Sequence, residues 1–350
     1  MGVLGLGRWG PNIVRSLESN PKVEVIGGVE PDSVMRTRVK ERIPYLPIYS
    51  SFNEFLAAKT VHAVFISTPV KTHFDLAKLA LSKGIHVMLE KPLAHSSTAC
   101  RDLIESAKKT DSLLMVGHVF LYNQGISEAK RLIESGELGK ILYLRSVRTN
   151  LGPIRTDVNV IWDLATHDIS MFNYLFGDSP KRVSCVGLAP LEQAQEDVAF
   201  GSLVYSNNRS ATFFVSWLDP KKTRELTMIG DQKMLKFDDL DAHHSLRVYD
   251  KGVRALPSER YVDSFPEFKL QIYSGQETIL NVPTGRPLEN ECNHFIDCIE
   301  SGRKPFTGGS DGLLVVEILE ALMESFRKNG TFVDLNQGIF RSSHEQDTLC

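Results

Sequence analysis

Met1-Gly2-Val3-Leu4-Gly5-Leu6-Gly7-Arg8-Trp9-Gly10 opens the chain. A short apolar run enters a Gly5-x-Gly7-x-x-Gly10 turn. A helical stretch over 12–19 follows, and a second apolar run over 23–30 ends at Glu30. Gly5 permits the tight turn, Gly7 lets a pyrophosphate approach the backbone, and Gly10 lets helix and strand pack closely. The helix that follows presents free N–H groups and the positive end of its dipole to phosphate. Glu30 closes the second strand 20 residues after Gly10, where a carboxylate accepts from ribose hydroxyls. Strand, turn, helix and acid in this order predict a dinucleotide site formed by Gly5, Gly7, Arg8, Trp9, Gly10 and Glu30.

Outward from this unit the same alternation repeats. Pro31-Asp32 makes a turn, a charged helix of about ten residues ends before Pro44, and a short helix covers 51–58. Val61-His62-Ala63-Val64-Phe65-Ile66 is a near-continuous apolar run, the pattern of a strand buried on both faces of a parallel sheet. It ends in Ser67-Thr68-Pro69. Ligands of doubly wound sheets lie beyond the carboxyl ends of the strands, so this loop is expected to border the cofactor. A helix over 72–83, a strand over 85–89, Glu90-Lys91-Pro92, a helix over 97–110 and a strand over 113–117 complete the set. Residues 1–118 therefore read as an N-terminal Rossmann domain with a doubly wound parallel sheet.

The texture changes after His118. A helix over 123–135 precedes a long strand over 140–149, and a helix over 163–176 stops at Gly177. Strand patterns then follow one another over 182–188, 198–205, 211–217, 225–229, 234–237 and 246–249, with hairpin-length links. Residues 119–330 thus read as a C-terminal α+β domain with a large, mainly antiparallel sheet, closed by helices over 289–301 and 311–328. Residues 331–350 read as a polar tail.

Composition narrows the partners. At 350 residues two domains are the natural division, and 42% hydrophobic residues can fill both cores. A net charge of −3 without a long basic run argues against nucleic acid, because phosphate neutralisation dominates such binding. Five scattered cysteines with no CxxC spacing read as free thiols in a reducing compartment. No apolar stretch approaches the roughly 18 residues of a membrane span, and no leader is read ahead of the fingerprint. The expectation is a cytoplasmic protein. There is no HExxH and no Cys/His cluster, so no metal site is expected.

These motifs now carry a resemblance. The chain resembles the Gfo/Idh/MocA oxidoreductases, the group of glucose–fructose oxidoreductase and inositol dehydrogenase. The matching features are Gly5-Leu6-Gly7-Arg8-Trp9-Gly10, Ser67-Thr68-Pro69 with His73, Glu90-Lys91-Pro92, Gly117-His118 with Tyr122-Asn123, and Asp163-x-x-x-His167-Asp168. They occur in the family's order across both domains. Residues 152–155 and 162–165 are similar to the subgroup acting on nucleotide-linked sugars, such as UDP-N-acetylglucosamine-type 3-dehydrogenases. Leu121 and Gln124 depart from the family, where Arg and Pro are common. The resemblance implies a nicotinamide cofactor, a cis Lys91–Pro92 bond, and assembly into a homodimer or homotetramer through the C-terminal sheet.

Oxidation of a secondary alcohol needs a base for the hydroxyl proton and a positive group for the developing alkoxide. His167 is the candidate base, since an unperturbed imidazole titrates near pH 6.5. Asp163, four residues earlier, is expected on the same helix face, where it can orient His167 or bond a substrate hydroxyl. Lys91, at the carboxyl edge of the sheet, is the charged donor, with a relay role open if burial lowers its pKa. Glu90 is expected to hold it charged and Pro92 to fix the turn. His73 is a candidate on the cofactor side, and His118, Tyr122, Arg148 and Asn159 on the substrate side. Each has a plainer reading: loop histidines satisfied by backbone, or ordinary packing. Asn123 reads equally well as a helix cap. Glu30 favours NAD, because a carboxylate repels a 2′-phosphate, while Arg36 and Arg38 leave NADP open. The expected activity is hydride transfer between nicotinamide and a sugar or nucleotide-sugar alcohol. A non-catalytic nicotinamide sensor, a free-sugar or inositol dehydrogenase, and a metal-dependent lyase using Asp163 and His167 are the competing readings.

Overall fold

The computed structural model describes residues 1–191, 195–255 and 270–335. In chain order the elements are β1 (Gly2–Leu4), α1 (Gly10–Glu18), β2 (Gly27–Val29), α2 (Ser33–Arg42), β3 (Ile48–Tyr49), α3 (Phe52–Ala58), β4 (Ala63–Ile66), α4 (Val70–Ser82), β5 (His86–Glu90), α5 (Ser97–Lys109) and β6 (Leu114–Gly117). A 3-10 turn over Val119–Tyr122 leads to α6 (Gln124–Glu134) and β7 (Ile141–Leu151). A π-helical turn at Ile161–Ala165 runs into α7 (Thr166–Phe176). Then come β8 (Arg182–Leu188), β9 (Val198–Val204), β10 (Ser210–Ser216), β11 (Leu218–Gly230), β12 (Met234–Asp238), β13 (Leu246–Ala255), β14 (Leu270–Leu280), α8 (Pro287–Ser301), α9 (Gly309–Arg327) and β15 (Val333–Asp334).

The backbone groups into two compact units, residues 1–122 with 286–320 and residues 123–285 with 321–350. In the first, six parallel strands take the order β3-β2-β1-β4-β5-β6, the doubly wound arrangement whose switch point lies beside β1. Every side chain of β4 is buried, as a strand covered on both faces requires. Each fully buried Phe or Ile there contributes about 1.5–3 kcal/mol. Side-chain caps start the helices: Asp32 accepts from the amides of Val34 and Met35, Ser51 from Glu54, and Ser96 from Ala99. Helix α8 returns to this unit because Cys292, Phe295 and Ile296 complete the core around Val3, Leu6, Phe65, Met88 and Met115. Residues 307 and 308 then line the edge of β6, with the Val116 amide donating to the Thr307 carbonyl at 2.8 Å.

In the second unit the described strands form one sheet in the order β14-β13-β12-β11-β7-β10-β9-β8-β15. All its pairings are antiparallel except β7 with β10. Phe213, Val215 and Trp217 face the core. Gly177 ends α7 in the left-handed conformation at φ 59°.

Three sequence expectations change. The strand read over 23–30 forms its ladder with β1 at 27–29, and the Ile26 amide donates to the Met1 carbonyl at 2.9 Å just before it. The helix read over 163–176 begins with the π-helical turn, so Asp163 and His167 do not sit on one continuous α-helix. Of the tail, residues 333–334 add an edge strand to β8, and residues 336–350 lie outside the described residues. Cys100, Cys185, Cys292 and Cys298 are buried free thiols, while Cys350 lies outside the described residues. No helix among the described residues is long and apolar enough to cross a membrane.

Candidate active site

In the first unit the carboxyl ends of β1, β2 and β4 converge on the fingerprint turn. The Gly5 amide donates to the Val29 carbonyl (2.9 Å), the Ser67 amide to the Leu4 carbonyl (2.8 Å) and the Ser67 hydroxyl to the Gly5 carbonyl (2.9 Å). The three glycines are required for different reasons. Gly5 has φ +88°, and a Cβ there would sit 2.8 Å from the Ser67 backbone. A Cβ on Gly10 would meet the Gly5 carbonyl oxygen at 2.6 Å. A Cβ on Gly7 would meet nothing within 4 Å. Nothing inside the protein fills the space beside position 7, which leaves the loop backbone bare on that side. Arg8 and Trp9 are exposed on this loop, and Pro69 on the neighbouring one.

The Glu30 carboxylate is buried and braced from both sides, accepting from the Leu6 amide (3.0 Å) and the Asp32 amide (3.1 Å). Arg36 is turned onto the backbone, donating to the carbonyls of Glu30 and Pro31 at 2.9 and 2.7 Å. His73 is buried with its ring nitrogens 3.0 Å from the Pro92 carbonyl and 2.8 Å from that of Thr68. It therefore ties the 67–69 loop to the Lys91–Pro92 turn. Carbonyl oxygens only accept, so both nitrogens donate only in the protonated ring. The Thr68 hydroxyl also accepts from the Thr72 hydroxyl at 2.8 Å, at the start of α4.

Lys91 follows β5 and precedes the cis Lys91–Pro92 bond. Its amide donates to the Glu90 carboxylate at 3.2 Å. Burial raises the Glu90 pKa, with the Lys91 charge pulling it back down. His118 is buried beyond β6 with neither ring nitrogen hydrogen-bonded, and burial, then the Lys91 charge, depress its pKa to about 3. It is a neutral imidazole at working pH. The Tyr122 hydroxyl, buried, is 3.1 Å from the Thr307 hydroxyl, and its ring meets Phe306 edge-on.

In the second unit Asp163 sits in the π-helical turn and His167, half-buried, in the first turn of α7. Asp163 accepts from Arg155 Nη1 (3.1 Å) and from the Trp217 indole (3.3 Å). Arg155 also forms a two-bond fork with Asp157 at 2.9 and 2.6 Å. The turn is secured by the Thr166 hydroxyl, which donates to the Trp162 carbonyl at 2.6 Å, and by Asn159, whose side-chain oxygen accepts from the Trp162 amide at 3.1 Å. The Asn159 amide also donates to Glu196 at 2.6 Å. Arg148 meets Asp168 in a buried fork, Nε at 3.2 and 3.1 Å and Nη2 at 3.1 Å. Asn159 and Arg148 thus make these bonds within their own unit. Asn123 caps α6, accepting from the Gly125 amide at 2.8 Å, and His243 and His244 are exposed.

Sequence reasoning assigned no role to Arg155, Trp217, Asp168 or Glu291. Only Glu291 left a local trace: it interrupts the apolar stripe Leu288, Cys292, Phe295 at helical spacing. Among the described residues no group of three or more His, Cys, Asp or Glu side chains could hold a metal ion.

A family profile described as an oxidoreductase family with an NAD-binding Rossmann fold matches residues 1–118, and the Gfo/Idh/MocA C-terminal domain profile matches residues 126–236. The chain belongs to the Gfo/Idh/MocA oxidoreductases. As a member of this family it is an NAD-binding oxidoreductase, and the braced Glu30 and open Gly7 loop suit that cofactor. The chain is 24% identical over 346 residues to a scyllo-inositol 2-dehydrogenase (NAD(+)) of Bacillus subtilis, covering 95% of both. It is 25% identical over 257 residues to a UDP-N-acetylglucosamine 3-dehydrogenase of Acidithiobacillus ferrooxidans, covering 73% of this chain and 76% of the relative. The solved aldose-aldose oxidoreductase of Caulobacter crescentus shares its fold, with a TM-score of 0.79 at 19% identity, over 95% of this chain and 98% of the other.

Proposed function

We propose that the protein oxidises a secondary alcohol of a sugar, in the favoured case a nucleotide-linked one, or reduces the corresponding ketone. His167 takes the hydroxyl proton, and the Lys91 ammonium donates to the reacting oxygen and steadies the developing alkoxide. The bound nicotinamide supplies the hydride acceptor. The alcohol loses a hydride from carbon and a proton from oxygen, and becomes a ketone. The observation that carries the reading is Lys91, set at the carboxyl end of β5 with the Glu90 carboxylate against its amide. In the second unit, Asp163 is held by Arg155 and Trp217 at the entry to the helix that bears His167, which suits a carboxylate fixed to receive a sugar hydroxyl. The nucleotide-sugar preference draws on the likeness to the UDP-N-acetylglucosamine 3-dehydrogenase.

The test is NADH absorbance with purified protein, NAD or NADP, and a panel of nucleotide sugars, free sugars and inositols. Turnover with a nucleotide sugar is expected. Lys91→Ala and His167→Ala are each expected to lose about a hundred- to ten-thousandfold in turnover while retaining NAD affinity. Normal turnover in either variant refutes the assignment. Bound cofactor that stays oxidised with every nucleotide sugar, free sugar and inositol refutes the sugar-alcohol reading.

The same reading includes a second copy of this chain as partner. Val186 pairs with Phe200, and Phe200 with Phe214, across β8, β9 and β10, on the face away from Phe213 and Val215. The two rings stack at 4.7 Å, and Val186 and Phe200 are 49% and 46% exposed. Such an apolar row on an open sheet face suits burial against a second copy.

A further inference from the structure

In the second unit Arg155 sits where two carboxylates meet. Its Nε and Nη2 grip Asp157 at 2.9 and 2.6 Å, and its Nη1 donates to Asp163 Oδ1 at 3.1 Å. A guanidinium is planar and carries five N–H groups in fixed directions. The fork on Asp157 therefore sets the plane, and the plane sets where Nη1 points. These bonds use three of the five N–H groups. Among the described residues the other two, one on Nη1 and one on Nη2, meet no protein acceptor. The Arg155 side chain keeps 34% of its surface exposed, twice the 17% of Asp163.

The other oxygen of Asp163, Oδ2, accepts from the buried Trp217 indole at 3.3 Å. Trp217 joins β10 to β11, and its carbonyl accepts from the Gly152 amide at 2.9 Å, beside the pairing of Leu151 with Leu218. The loop that bears Arg155 leaves β7 at this same junction. It is tied again further along: the Gln195 side-chain amide donates to the Thr156 carbonyl at 3.0 Å, and the Val160 amide to the Glu196 carbonyl at 3.1 Å. The Asp163 amide then donates to the Asn159 carbonyl at 3.0 Å. Both arms on Asp163 thus grow from one junction, and each carboxylate oxygen is met by a donor whose own position is fixed. A carboxylate accepts up to about four hydrogen bonds, so these two do not exhaust it.

We propose that Arg155 is a specificity-determining residue, whose remaining N–H groups donate to the substrate oxygen next to the hydroxyl that Asp163 receives. Arg155 and Asp163 then present a donor and an acceptor side by side on one rigid frame. That frame matches two neighbouring oxygens of a ring: two hydroxyls, or a hydroxyl beside an acetamido carbonyl. A ring lacking the second oxygen leaves the guanidinium donors unpaired in the complex, and this is where discrimination arises. The inference rests on the proposed function, which places a substrate hydroxyl on Asp163, and narrows its substrate class to rings with adjacent oxygen substituents.

The test uses the full chain loaded with NADH, so that a bound alcohol cannot turn over. Isothermal titration calorimetry measures the affinity of UDP-N-acetylglucosamine and of analogues each lacking one ring substituent. In wild type one such analogue is expected to bind about tenfold or more weakly than the parent. Arg155→Lys keeps a cation but loses the planar fork. In that variant the parent is expected to weaken by about the same factor, and the analogue to bind no worse than the parent. NADH affinity and circular dichroism are expected to stay at wild-type values. An analogue penalty of equal size in wild type and Arg155→Lys overturns the proposal. So does a wild-type series in which no analogue is penalised, whether or not the variant folds. Asp157→Asn is the second variant: it loosens the fork, leaves the guanidinium in place, and is expected to shrink the same penalty. If UDP-N-acetylglucosamine does not bind, the series is built on the panel alcohol that does. A panel in which nothing binds sinks the proposed function and this inference with it, whereas binding with equal penalties sinks this inference alone.

Discussion

Replacing Arg148 by Met removes the cation from a nearly closed site. Arg148 and Asp168 have side chains only 5% and 1% exposed and meet through three contacts of 3.1–3.2 Å. Taking one partner from a buried pair leaves the other charge uncompensated, which costs about 3–5 kcal/mol. Arg224, which also acts on Asp168, offsets part of this, so the lower end of the range is expected. The pH dependence follows from Asp168. Burial raises its carboxyl above the ordinary range, against the pull of Arg148. A carboxyl raised in the folded state contributes most stability at low pH and loses it as pH rises through the folded value. Without Arg148 that value climbs further, so the loss should be largest at about pH 8 and shrink toward about pH 5, as Asp168 takes up a proton. Urea titrations of wild type and Arg148→Met at the two pH values measure this directly. The double variant Arg148→Met/Asp168→Leu should recover most of the loss, since apolar replacement of a buried pair is often neutral or better. A loss below about 1 kcal/mol, or one of equal size at both pH values, refutes the argument. Either would free Arg148 for a primary role in holding substrate.

Gly7→Ala should fold with wild-type stability, because its Cβ meets nothing within 4 Å. It should lose NAD affinity by about tenfold or more in fluorescence titration, since the methyl occupies the space a pyrophosphate needs. Gly5→Ala, at φ +88° and against Ser67, should cost about 1–2 kcal/mol of stability as well. Equal behaviour of the two would contradict the division of roles. Asp311, capping the Gly308 amide at 2.9 Å, is pushed by burial up to about 6. Its contribution is present below its ordinary pKa of 3.8 and lost as pH rises through about 6, so Asp311→Asn should raise Tm near pH 7.5 and leave it unchanged near pH 4. A Tm change independent of pH would count against this. Phe200→Asp should reduce the molar mass seen by light scattering to that of a single chain; a wild-type protein already monomeric at working concentration would remove the case for a paired sheet face.

Much of the first unit was legible because its signals are local. Four consecutive apolar residues mark β4, and Asp32, Ser51 and Ser96 cap the helices they precede. Strand lengths were less legible because a ladder depends on its partner. Val23 and Val25 carry the apolar pattern of a strand and pack on the core, yet the ladder with β1 covers only 27–29. In the second unit β11 runs from Leu218, through Asp219-Pro220-Lys221-Lys222, which has no apolar alternation. Leu218 pairs with Leu151 and Thr223 with Thr149 of β7, and residues 219–222 lie in the register shift between these two pairs, so the run is set by another part of the chain.

The site divides along the same line. Motifs that act through their own backbone, the glycine turn and Glu90-Lys91-Pro92, can be read from adjacent residues. Charge partners cannot: Asp163 meets Trp217 across 54 positions and Arg155 across eight, and Arg148 meets Asp168 across 20. The one spacing argument that reached α7 assumed an α-helical pitch between Asp163 and His167. The chain instead forms a π-helical turn there, which carries an extra residue per turn and rotates Asp163 relative to everything after it. The Asp163 carboxylate is accordingly held by Arg155 and Trp217, residues that no i, i+4 rule reaches. Periodicity predicts a face only when the helix type is known. A local change of helix type is one way a fold redirects a single functional side chain without moving the element that bears it.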